Sequence, residues 1–76
     1  MEKSERDNEL EHLGSLMFSR EEASIILDGG DDPYLRGRLK CEAEVRKSIM
    51  ELAKAGSSPA QAMAMRLIEN ARIQEA

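Results

Sequence analysis

Seventy-six residues make one small domain, and the single cysteine, Cys41, excludes a disulfide within the chain and a cysteine-rich metal site. Two aromatic side chains, Phe18 and Tyr34, are too few for a base-stacking surface on single strands, and no apolar run approaches the roughly 18 residues of a membrane span. The net charge of −4 is uneven: residues 1–32 hold ten acids and three bases and residues 33–76 five acids and eight bases, so only the second part suits a phosphate backbone.

The chain opens on MEKSERDNELEH, too polar for a signal peptide, and the protein is expected in the cytoplasm. Residues 1–8 are polar enough to fray or be disordered. The first helix is expected from about Glu5 to Met17, capped by Ser4, with Leu10, Leu13 and Met17 as a narrow apolar stripe. Gly14 weakens it by about 1 kcal/mol relative to alanine.

Ser19 and Glu22 form an S-x-x-E capping box that starts the second helix, with Phe18 before the cap packing back on Ala23. Ala23, Ile26 and Leu27 face inward, and Gly29-Gly30 ends the helix. The third helix has Asp32 as N-cap and Pro33 as first residue, and runs to about Ala55 before Gly56. Leu35, Leu39, Val45, Ile49, Leu52 and Ala53 are expected on its buried side, and Cys41 as a small buried hydrophobe. Gly37 marks either a close helix approach or a weak first turn.

The fourth helix is expected to start with Ser58 as cap, Pro59 as first residue and Gln61 closing a second box. Met63, Leu67, Ile68 and Ala71 form its stripe, and Ala60, Ala62 and Ala64 would let a neighbouring backbone come close. The short link Gly56-Ser57-Ser58 makes the last two helices an antiparallel hairpin. No segment alternates as a strand would. The expected fold is therefore all-α. Residues 1–76 form a single helical domain, a small bundle of three to four helices, with a helical hairpin over 33–74.

Little in the sequence points to catalysis, and no enzyme activity, cofactor or metal is expected. His12 is the only histidine and has no histidine or cysteine partner for a metal. The run DGGDDP lacks the glycine and glutamate spacing of a calcium loop, and a turn with a helix cap accounts for its aspartates. No strand precedes Gly29-Gly30 and no Gly-Lys-Ser/Thr follows, so it is not a phosphate loop.

The third helix carries a stronger pattern. At 100° per residue, with Arg36 at zero, Lys40, Lys47 and Lys54 fall at about 40°, 20° and 0°, a basic line about 27 Å long. Such a line could follow phosphates. Glu44 and Glu51 flank it at spacings that pair with the lysines, and Glu42 can pair with Arg38 or Arg46. Arg36 and Arg38 are the least neutralised and sit where a recognition helix would enter a groove. The second helix, a four-residue link and the front of the third thus make residues 19–40 helix-turn-helix-like.

The run YLRGRLKCEAEVRKSIMELAKAGSSPAQAMAMRLIEN resembles a pattern in small phage and prophage DNA-packaging proteins. There a helix-turn-helix precedes a helix with G-[RK]-x-x-x-E-x-E-[VL]-R, then a glycine turn, then a helix beginning S-P-A-Q. The matching positions are Gly37, Arg38, Glu42, Glu44, Val45, Arg46, Ala53, Lys54, Gly56, Ser58, Pro59, Ala60 and Gln61, over about half the chain. The resemblance is to small terminase subunits. It implies a phage-derived protein that forms a homo-oligomer, binds duplex DNA and presents it to a large terminase subunit.

Two functions follow. In the first, a self-associating, non-enzymatic protein binds duplex DNA, with Arg36, Arg38, Lys40 and Lys47 on phosphates. In the second, a protein-interaction or oligomerisation module without DNA binding uses Met50, Met63 and Met65 as an adaptable apolar surface.

Overall fold

The computed structural model describes residues 4–75. These form four helices, α1 (Glu5–Ser15), α2 (Arg20–Asp28), α3 (Pro33–Lys54) and α4 (Ser58–Glu75), with no strand among the described residues. The fold is all-α. The expectation of disorder at the N-terminus is corrected for residues 4–8: Ser4 caps α1 by accepting a hydrogen bond from the Asp7 N–H, and the helix begins at Glu5. Residues 1–3 lie outside the described residues.

The first helix stops at Ser15, short of Met17. Met17 takes a left-handed conformation at φ 67°. The Phe18 N–H donates to the Leu13 carbonyl at 3.2 Å and the Met17 N–H to Gly14 at 3.0 Å. Paired bonds of this kind close a helix, usually with glycine at the left-handed position. The chain reverses there, and Arg6 near the start of α1 pairs through both terminal guanidinium nitrogens, Nη1 and Nη2, with Asp28 at the end of α2. The two helices therefore run antiparallel. The capping box forms in full, with Ser19 Oγ accepting from the Glu22 N–H and Glu22 Oε1 from the Ser19 N–H.

The core lies where α1, α2 and α3 meet. Leu13, Leu16, Phe18, Ala23, Ile26 and Leu39 form one buried cluster, and Leu35, Ala43 and Met50 pack against it. The face of α3 that turns inward is therefore Leu35, Leu39, Ala43, Arg46 and Met50, centred at about 300° on the helical wheel. The expected buried side, near 160–220°, is corrected: Val45 and Leu52 are 54% and 56% exposed, while Ile49 and Ala53 are half-buried. Cys41 is exposed rather than buried. A Cβ on Gly37 would meet nothing within 4 Å, so no helix closes on it.

The hairpin forms as expected, with α3 and α4 packed along each other. Gly56, at φ 106°, ends α3 while the Ser57 N–H donates to the Leu52 carbonyl. The cap of α4 differs from the expectation. Ser57, one residue earlier than Ser58, accepts from the Ala60 N–H at 3.4 Å. Gln61 closes no box; its Nε2 reaches back to the Ala53 carbonyl at 3.1 Å. The buried residues of α4 are Ala60 and Ala64, with Leu67, Ile68 and Ala71 half-buried and Met63 50% exposed.

Candidate nucleic-acid and association surfaces

Two of the arginines on α3 are spent inside the fold. Arg46, whose side chain is 16% exposed, donates from Nη1 to the Leu16 and Met17 carbonyls at 3.0 Å each. Its guanidinium lies over the Phe18 ring, 4.2 Å from the centroid, and Nη2 pairs with Glu42 at 2.6 Å. One planar, always-charged group thus satisfies the open end of α1 and stacks on Phe18, the residue before the cap of α2.

Arg36 is the second. Its Nε donates to the Ile26 carbonyl at 3.3 Å, at the C-terminal end of α2, where a cation is favoured. The guanidinium lies against Gly29, whose φ is 92°. Next to it the Asp28 carboxyl is held below the usual carboxylate range, chiefly by the hydrogen bond from Arg6, with the charges of Arg6 and Arg36 adding to it. Arg36 is therefore a half-buried contact to the end of α2, although it has no ion-pair partner among the described residues.

The remaining bases face solvent. Arg38 is exposed and lies 5.9 Å from the Tyr34 ring centroid. Lys40, Lys47 and Lys54 are all exposed. The expected pairing of these lysines with Glu44 and Glu51 does not form: among the described residues the ion pairs are Arg6–Asp28 and Glu42–Arg46. The structure thus brings Lys40 and Lys47 to one open edge of α3, on the side away from Val45. Arg38 stands apart from that edge, at about 200° on the wheel.

The three methionines separate. Met50 is half-buried and packs against the core, so only part of it faces solvent. Met63 and Met65 are 50% and 48% exposed. Met63 joins Val45, Ile49 and Leu67 along a shallow groove between α3 and α4, with Glu42 and Arg46 on one wall and Arg66 on the other. Sequence reasoning passed over Arg66; its signal is a base one turn from Met63 and beside Leu67. His12 is exposed on α1, and among the described residues no group of three His, Cys, Asp or Glu could hold a metal ion. No helix is long and apolar enough to cross a membrane among those residues.

Compared with models of protein families, with curated proteins and with solved structures, the chain matches none.

Proposed function

We propose that this chain is a non-enzymatic helical protein that self-associates and binds duplex DNA along the lysine edge of α3, the role implied by its resemblance to small terminase subunits. One observation carries the DNA part: Lys40, Lys47 and Lys54 share one edge of a single continuous 22-residue helix, all exposed and without a carboxylate partner among the described residues. An unpaired row of ammonium groups exchanges its counterions for phosphates, so affinity falls steeply with salt. Arg38 is a neighbouring contact, and Arg36 is withdrawn from the set. A large terminase subunit is the partner the resemblance implies.

The test is a titration of duplex DNA at several salt concentrations. The Lys40→Gln, Lys47→Gln double variant is expected to weaken binding and to flatten the log–log salt dependence by about 1.8, two phosphates at roughly 0.9 each. Absence of binding at about 100 μM in low salt, the weak end of non-specific affinity, overturns the DNA reading. So does binding that the double variant leaves unchanged.

A second reading, an interaction module without DNA binding, is favoured by the exposed Val45, Leu52, Met63 and Met65 and by the acidic first 32 residues. Self-association with no DNA binding is its expected signature.

A further inference from the structure

Arg38 is left over by the lysine edge. On the helical wheel of α3, with Arg36 at zero, Lys40 stands at about 40° and Arg38 at about 200°. The core takes the side centred at about 300°, so the outermost line of the helix lies at about 120°. Lys40 and Arg38 therefore flank that line evenly, about 80° to either side. Both are exposed, and neither has an ion-pair partner among the described residues. Between them the front of the helix presents no charge. Tyr34 is 75% exposed, Gly37 leaves open space where a Cβ would stand, and Cys41 is exposed.

We infer that residues 33–41 of α3 lie in the major groove of duplex DNA, with Lys40 on the phosphates of one wall and Arg38 on those of the other. The inference rests on the DNA reading above and fixes how the helix sits on its ligand. A helix with its side chains is about 10–12 Å across and the major groove is about 12 Å wide, so side chains on opposite flanks reach both walls. The two walls supply the negative charge that the two flanks match. A helix laid across the backbone on its lysine edge would leave Arg38 pointing away from the DNA. The uncharged ridge faces the base edges, and Gly37 lets the backbone come close to them. The acids limit how much of the helix enters. Glu44 and Glu51 stand on the outward side, at about 80° and 60°, so the helix leaves the groove beyond Cys41 while Lys47 continues the Lys40 wall. Glu42 is turned to Arg46, and Asp32 back onto the Leu35 N–H as the cap. Within residues 31–40, Arg36, Arg38 and Lys40 outnumber the acids Asp31 and Asp32.

The experiment titrates the full chain with two duplexes of one sequence at several salt concentrations. One is unmodified, and the other carries bulky substituents on C5 of its pyrimidines, a position that projects into the major groove. The substituted duplex is expected to bind at least about tenfold more weakly. Gly37→Gln, with its helical circular dichroism unchanged, is expected to weaken binding of the unmodified duplex about tenfold, because its side chain stands on the ridge. Arg38→Gln is expected to flatten the log–log salt dependence by about 0.9, one phosphate. Indifference to the C5 substituents, to Gly37→Gln or to Arg38→Gln each overturns the inference. The substituted duplex is read with the unaltered chain, so that arm needs no variant to fold. The lysine-edge reading survives such a result as long as the Lys40→Gln, Lys47→Gln double variant weakens binding, so the two fail separately. Absence of binding to either duplex overturns both.

Discussion

Arg46 joins three parts of the molecule through one guanidinium: two carbonyls at the end of α1, the Phe18 ring before α2, and Glu42 on its own helix. Hydrogen bonds from a charged donor contribute about 1.5–3 kcal/mol, and stacking on an aromatic face adds about 0.5–1. Arg46→Ala should therefore lower the unfolding free energy by about 2–3 kcal/mol in urea titrations, a large share of the roughly 3–5 available to a domain this size. Arg46→Lys should recover less than half, since an ammonium cannot stack flat and donate in a fork at once. An unfolding midpoint unmoved by Arg46→Ala would show that the α1–α2 turn holds itself. The sequence displays Arg46 as a partner for Glu42, which it is; its inward contacts were not legible, because they are made to backbone carbonyls 29 and 30 residues away.

At the scale of single helices, glycines with different surroundings should respond in opposite directions. Gly37 lies inside α3 with open space where a Cβ would stand, so Gly37→Ala should raise stability by about 0.5–1 kcal/mol. Gly29 has φ 92° and a Cβ there would lie 3.2 Å from Arg36 Nη1. Gly29→Ala should cost about 1–2 kcal/mol through backbone strain and displacement of that arginine. Thermal melts of both variants check the pair; matching signs would refute the account. The helices themselves were largely legible, since Ser4, Ser19, Asp32 and Gly56 mark ends by local chemistry that needs no tertiary partner. Two boundaries were not. Met17 takes a position glycine usually fills, and adjacent Ser57 and Ser58 offer two equivalent caps. The buried side of α3 was misjudged for a related reason. The run Leu39, Ala43, Arg46, Met50 has helical spacing but is broken by a charge, whereas Val45, Ile49 and Leu52 look like an intact stripe.

Across the molecule, α3 works in three directions at once. One side closes the core with Leu39, one carries the lysine edge, and one presents Val45 and Leu52 to solvent. The lysine edge and the apolar side were both visible in the sequence, but which of them would be free depended on where α1 and α2 settle. The bulky buried side chains, Leu13, Leu16, Phe18, Ile26 and Leu39, all belong to that settlement, and the distal half of the hairpin has methyl groups instead. Local opening follows local burial. In a lone chain the amide protons of α4 should trade for deuterium well before those of α2 or the front of α3. If chains associate through the hairpin, raising the concentration slows that exchange in α4 and leaves α2 unchanged. A seam lined with alanine thus makes the last helix the part of the molecule that peels away first and that neighbours can most readily hold in place.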